Sequence, residues 1–243
     1  MMPKIVVPFS TNLLAAIFVD RPNRFIVRCQ LSDAPGELVE AHLADPGRLR
    51  ELLLPGKKMY LQQSDNPNRK TKYSAVMVER EDGAGWVSIN SILPNKLAEL
   101  AIKQRIFPEL SGWEYVRAEF TKGKSRWDFL LSHADGRRMV IEVKGASLVK
   151  EQIAYFPDAV TTRGAKHVRE LADIVNEEGW EAAVLFVVQR SDVMQVKPAE
   201  HIDPGFAAAM REAHAAGVLF LGCRCNVAPA AVEIIDQIQV PGP

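Results

Sequence analysis

One stretch narrows the folding options of this chain more than any other. It is Ser125-Arg126-Trp127-Asp128-Phe129, followed after a short gap by Val140-Ile141-Glu142-Val143-Lys144-Gly145. Trp127, Phe129, Leu130 and Leu131 make one strand-type run; Met139, Val140, Ile141 and Val143 make a second. Between them, Asp135-Gly136 is a dipeptide favoured in tight hairpins, so the two runs are expected to be antiparallel neighbours. Side chains alternate across a strand, which puts Glu142 and Lys144 on one face and Ile141 and Val143 on the other. The hairpin brings Asp128 alongside them.

Two carboxylates and an ammonium then meet at the end of otherwise apolar strands. Burying such charges is costly unless they pair or bind a cation. Mg²⁺ or Mn²⁺ suits the first arrangement that follows: Asp128, Glu142 and the Val143 carbonyl as ligands, with retained waters and phosphate oxygens completing the shell. Lys144 would orient the attacking water or steady phosphate charge. Glu119, on the polar parity of the preceding strand, is a candidate further acid or a partner of Arg117. The second reading is a structural ion-pair cluster at a sheet edge. The bare spacing does not separate the two; the order of elements around it favours the first.

That order reads as follows. Up to about residue 86 the chain shows short strands at Leu13–Val19, Phe25–Leu31, Leu38–His42, Lys58–Gln62 and Tyr73–Arg80, punctuated by Pro, Gly, Asn and Asp. With a short helical insert over Asp45–Leu53, this suggests a small barrel of the OB type, assigned to residues 1–86. The remainder, 87–243, gives a helix at Asn95–Phe107, strands at Glu114–Thr121, Arg126–Leu131 and Met139–Lys144, a helix from Gly164 to Glu178 capped by Thr161 or Thr162, and a buried strand at Ala182–Gln189. A helix opened by Asp203-Pro204 and a strand at Val218–Cys225 follow; the tail from Val227 is weakly patterned. Helix–strand–strand–strand–helix–strand is the αβββαβ core of the PD-(D/E)xK nuclease fold, and Asp128 and Glu142-Val143-Lys144 fall where that fold keeps its metal site.

Charge adds a constraint. Lys and Arg total 30, as do Asp and Glu, so the formal net charge is zero and any hold on DNA must be local. Two basic runs qualify: Lys57, Lys58, Arg69, Lys70 and Lys72 in the barrel, and Arg163, Lys166, His167 and Arg169 at a helix start, where the dipole favours phosphate. Gln152 and Tyr155 are candidates for lining the site, and His42, His133, His201 and His214 share no metal spacing. The three cysteines, Cys29, Cys223 and Cys225, make no disulfide framework and fit a cytoplasmic protein. The apolar N-terminus, broken by Pro8, Ser10, Thr11 and Asn12, reads as an opening strand rather than a signal peptide. No segment is long enough to span a membrane.

Three longer motifs carry a family resemblance: Phe156-Pro157-Asp158-Ala159-Val160-Thr161-Thr162-Arg163-Gly164-Ala165-Lys166-His167-Val168-Arg169-Glu170-Leu171, His42-Leu43-Ala44-Asp45-Pro46-Gly47-Arg48-Leu49 and Ala199-Glu200-His201-Ile202-Asp203-Pro204. With the strand motifs above, they resemble the bacterial sugar fermentation stimulation protein A family along nearly the whole chain. The resemblance implies an OB-like domain, a nuclease-like domain, DNA as partner with little sequence preference, and an association with regulation of sugar (maltose) metabolism. It puts the family's acidic and lysine positions on Asp128, Glu142 and Lys144, with Glu119 as a fourth. The expectation is a DNA-binding protein on a nuclease-like fold; the alternative is an active Mg²⁺-dependent DNA nuclease using Asp128, Glu142 and Lys144. A homodimer is left open.

Overall fold

The computed structural model describes residues 4–9, 13–34, 36–45 and 47–242; residues 10–12, 35 and 46 of the stretches above lie outside it. The chain opens with strand β1 (Ile5–Pro8), then runs through β2 (Leu13–Asn23), β3 (Ile26–Leu31), β4 (Leu38–Leu43), β5 (Lys58–Gln63), β6 (Tyr73–Glu79) and β7 (Trp86–Ser88). Strand alternation decides what faces inward: Val27 and Cys29, Val39, Ala41 and Leu43, then Met59 and Leu61 are buried while their neighbours are not. Strands β2 to β6 lie in the order β4-β3-β2-β5-β6, and a further parallel pairing of β4 with β6, Ala41↔Tyr73 to Leu43↔Ala75, closes the barrel. Closure leaves no open sheet edge, which is how a small OB barrel protects its backbone.

The helical insert expected over Asp45–Leu53 is corrected: its described residues form turns, not a helix. The backbone amides of Arg48 and Leu49 donate to the Asp158 carboxylate at 2.7 and 3.4 Å, and Leu49 takes a φ of 47°, which no right-handed helix allows. Leu49 and Leu52 are fully buried in the barrel core instead. Strand β7, absent from the sequence reading, adds to β6.

The second half runs α1 (Leu93–Lys103), β8 (Trp113–Lys122), β9 (Ser125–His133), β10 (Arg138–Ala146), β11 (Leu148–Lys150), β12 (Ile153–Phe156), α2 (Thr162–Val175), β13 (Trp180–Val188), β14 (Gln195–Pro198), α3 (Pro204–Ala216), β15 (Leu219–Ala228) and β16 (Ala231–Gln237). The large sheet has the order β1-β16-β15-β13-β10-β9-β8, with β10–β13 and β13–β15 parallel. Apolar residues of odd parity on β10, Ile141 and Val143, pack with Leu97 and Ala101 of α1. Val140, of even parity, packs on the other side with Val168 and Leu171 of α2 and Met210 of α3. The sheet is thus covered on both faces, and the run Ala182–Val188 of β13 is buried throughout, as a central parallel strand requires.

Local signals fix the two helices on the α2 side. Thr161 caps α2 by accepting from the Gly164 amide at 3.0 Å. Asp203 caps α3 by accepting from Phe206 at 2.9 Å, and Gly217 ends it at φ 102°. Asp203 also accepts from the Thr161 amide at 2.7 Å, so one carboxylate ties the start of α3 to that of α2. β1 pairs with β16, so the first strand belongs to the large sheet and not to the barrel. Arg190, buried, reaches from β13's end to Glu81 at 3.0 Å and to Asp192, joining the two domains. Among the described residues no helix is long and apolar enough to cross a membrane, and all three cysteines are buried free thiols.

Candidate metal centre

The site arises where a ladder breaks. β9 and β10 pair antiparallel from Ser132↔Arg138 to Phe129↔Ile141 and then part. Past that point the Val143 amide has no strand partner on the β9 side, and a buried amide left unpaired is costly. Asp128 satisfies it: its Oδ2 accepts from Val143 N at 2.7 Å, while its Oδ1 accepts from Asn95 Nδ2 of α1 at 2.6 Å. The two contacts fix the carboxylate in the split between the strands. On β10, Glu142 and Lys144 share a face as alternation demands, and Lys144 Nζ lies 2.5 Å from Glu142 Oε1. The same oxygen lies 3.0 Å from His167 Nδ1, on α2. The Glu142 side chain is only 8% exposed and His167 9%.

The two carboxylates are pushed in opposite directions. Burial raises the Asp128 carboxyl, the neighbouring Glu142 charge raises it further, and the hydrogen bonds from Val143 and Asn95 offset this only in part; the net shift is upward. Burial also pushes Glu142 up, but the His167 hydrogen bond and the Lys144 charge outweigh it, and its carboxyl sits below the usual range. Asp128 is therefore a half-buried carboxylate short of positive charge, beside a second whose Oε1 takes both Lys144 and His167. Hard carboxylate oxygens beside a backbone carbonyl are the donor set that Mg²⁺ or Ca²⁺ takes, so the residues present fit such an ion. Among the described residues no three His, Cys, Asp or Glu side chains gather as a metal cluster.

Of the residues singled out from sequence, Asp128, Glu142, Val143 and Lys144 come together. Glu119 does not join them through any hydrogen bond or ion pair: it takes a φ of 52°, is two-thirds exposed and pairs with Arg126 at 3.5 Å, not with Arg117. The irregular backbone turns its side chain outward. Two cations expected to meet DNA are spoken for. Lys57 Nζ donates to the Arg80 and Glu81 carbonyls at 2.8 and 3.1 Å, bracing the barrel, and Arg169 is held by Glu212 of α3 at 2.7 Å. Lys58 pairs loosely with Glu79 at 3.7 Å, Arg69 donates to Ser74 Oγ at 3.0 Å, and Lys70 and Lys72 are exposed. Arg163 is exposed, and Lys166 pairs with Glu170 at 3.5 Å. Tyr155 lines a cleft between the domains and Gln152 is exposed on a neighbouring turn; neither touches Asp128 or Glu142.

His167 and Asn95 were not placed at the site from sequence. The signal for His167 is its spacing: Gly164, His167, Val168, Leu171 and Ile174 form the buried stripe of α2, so the imidazole faces the sheet while Arg163, Lys166 and Arg169 face solvent. Asn95 carries no such signal beyond its place in the first turn of α1.

The long sequence motifs prove to be interlocked. Asp158, in the longest, accepts from Arg48 and Leu49 in the barrel motif, and Asp203, in the last, accepts from Thr161. Between the first two lies a cleft of about 370 Å³ whose wall includes Asn95 and Val143.

Comparison with known proteins agrees with this architecture. The model of the sugar fermentation stimulation protein N-terminal OB domain matches residues 19–89, and that of the family's RE domain matches 92–231. Homologues of the sugar fermentation stimulation protein in Moorella thermoacetica (40% identical, covering 97% of this chain and 99% of the relative) and Shouchella clausii (45%, covering 92% and 95%) align along nearly the whole length. The structure of Pyrococcus furiosus SfsA superposes with a TM-score of 0.84 at 27% identity, covering 95% of this chain and 96% of that one. With an OB barrel, a second α/β domain, both family domain models matched and relatives aligned over nearly the whole length, the chain belongs to the sugar fermentation stimulation protein A family.

Proposed function

We propose that this protein binds DNA with its second domain, holds a divalent cation between Asp128 and Glu142, and hydrolyses a phosphodiester bond there. One observation carries the proposal: two carboxylates meet where β9 and β10 part, with the Lys144 ammonium 2.5 Å from Glu142. Placing three ionisable groups in so little water costs free energy that a purely structural ion pair seldom repays. The elevated Asp128 carboxyl, deprived of a cation of its own, points the same way. The Pyrococcus furiosus relative is known as a complex with Ca²⁺, which supports a divalent site in this one.

Asp128, Glu142 and the Val143 carbonyl would hold the ion. When bound, Mg²⁺ or Mn²⁺ polarises a phosphate oxygen and eases deprotonation of water at neutral pH. The remaining work belongs to the chain. Asn95 and the Val143 amide keep Asp128 in one orientation, and His167 does the same for Glu142, as hydrogen-bonded partners of metal ligands commonly do. Lys144, tethered to Glu142, would orient the water or stabilise charge developing on the phosphate.

A second reading, a regulator of sugar metabolism that uses the fold only to hold DNA, draws on a different observation. Lys144 and His167 already contact Glu142 Oε1, and no cluster of three acidic, histidine or cysteine side chains gathers among the described residues. Incubating the protein with single-stranded, duplex and branched DNA in Mg²⁺ or Mn²⁺ separates the two. Cleavage products that vanish in Asp128→Asn support the enzyme; intact DNA of every form under every metal condition supports the regulator.

A further inference from the structure

A second concavity lies beside the site, and its charge is one-sided. It occupies about 520 Å³ between the turn joining β8 to β9 and the first turns of α2. Lys124 and Arg126 line it from the strand side, Arg163 and Lys166 from the helix side, and no carboxylate lines it. In a chain with equal numbers of acidic and basic residues, such a concentration of cations is held together against its own repulsion. Lys124 and Arg163 are exposed and have no ion-pair partner among the described residues. Arg126 and Lys166 have only the loose 3.5 Å pairs with Glu119 and Glu170, exposed pairs of a kind that contribute little and exchange readily for phosphate.

His167 provides an independent pointer. It lines the same concavity and is only 7% exposed. Its Nδ1 faces Glu142 Oε1 at 3.0 Å, while its Nε2 has no partner among the described residues. The imidazole therefore borders the concavity as well as Glu142 and keeps a second ring nitrogen for a further hydrogen bond. The imidazole is thus a partition with the Glu142 carboxylate on one side and the basic concavity on the other.

We infer that this concavity grips the phosphates of a DNA strand next to the bond held at Asp128 and Glu142, with Lys124, Arg126, Arg163 and Lys166 as phosphate contacts and His167 Nε2 as a hydrogen-bonding group on its floor. Its volume is in the range that takes a whole small ligand, which favours a stretch of backbone over a single phosphate ion. This inference rests on the reading of DNA as the partner. It also excludes Arg169, which Glu212 turns toward α3.

The test is fluorescence anisotropy with a short labelled duplex across a KCl series, with Ca²⁺ replacing Mg²⁺. The variants are Lys124→Ala/Arg163→Ala and, as control on the same domain, Arg169→Ala/Arg211→Ala, whose arginines pair with Glu212 and Glu200. Removing two phosphate contacts should weaken binding about tenfold and lower the log–log salt slope by about two, while the control keeps the wild-type slope. A double variant that binds as wild type does overturns the concavity as a DNA contact and leaves the DNA reading standing. A parallel calorimetric titration with inorganic phosphate covers the other failure. Wild-type protein that binds phosphate but no DNA overturns DNA as the occupant, and protein that binds neither overturns the phosphate site altogether.

Discussion

Strands β9 and β10 carry charged side chains at both ends, and the two ends behave in opposite ways. At the hairpin, Asp135 pairs with Arg137 at 2.8 Å and with the His133 ring at 2.7 Å, all of them substantially open to water. The Arg137 backbone amide, more than any other contact, holds the Asp135 carboxyl down to about 2. At the far end Asp128 is half-buried and its carboxyl is raised, while Glu142, Lys144 and His167 form a cluster in which each side chain is at most 14% exposed. Water screens the first set, so its ion pairs serve the turn and little else. The second set is expensive to bury, and costly burial of this kind is the pattern that functional sites use. Charge in a sequence does not mark a site; charge that the fold removes from water does.

The largest effect that can break this contrast is expected of Lys144. Lys144→Ala should cut the cleavage rate by about 10²–10⁴-fold, the range for a group that stabilises charge or moves a proton in the transition state. DNA affinity should stay close to wild type, since Lys144 lies beside Glu142 rather than in the basic concavity. Single-turnover kinetics and anisotropy on one preparation, with the thermal midpoint as a folding control, give both numbers. Equal losses in rate and affinity would mean that Lys144 only holds DNA.

A smaller effect is expected of Asn95→Ala, which leaves Asp128 held by Val143 alone. Loss of a partner that orients a metal ligand should weaken Mn²⁺ binding by about 10–100-fold without changing the fold. Because the Asp128 carboxyl is raised, a cation must displace a proton from it over a wider range of pH than from an ordinary aspartate. Metal affinity should therefore rise with pH from the ordinary carboxylate range upward. A flat profile there would remove Asp128 from the ligand set.

The smallest effect belongs to the hairpin. Asp135→Ala should leave cleavage and metal binding unchanged and lower the melting temperature slightly at neutral pH. Asp135 titrates lower in the folded chain, at about 2, than its ordinary 3.8. Its contribution is therefore complete above about pH 4 and is lost as pH falls toward 2. Melting curves of wild type and variant should converge over that window.

How far the sequence foretells all this depends on the kind of order involved. Asp128, Glu142 and Lys144 are legible because strand parity and a short Asp-Gly turn are local rules, and the three residues obey them. Thr161 and Asp203 announced their helices for the same reason. Glu119 was not placed correctly by parity, since one residue at φ 52° turns its side chain away. The Asp45–Leu53 segment was missed because a distant carboxylate, Asp158, takes the amides a helix would need. β1 looked like part of the barrel because its partner, β16, lies at the other end of the chain in a stretch with weak pattern. His167 has two faces: sequence proximity groups it with Arg163 and Lys166, while helical spacing sets it on the apolar side of α2, against Glu142.

The central claim is that the buried end of β9 and β10, and not the exposed one, holds a divalent cation. Titration with Mn²⁺, followed by calorimetry on wild type, Asp128→Asn and Asp135→Asn, tests it directly. Wild type and Asp135→Asn should bind the ion alike, and Asp128→Asn should lose it. Binding of equal strength in all three proteins would rule out a divalent site at Asp128.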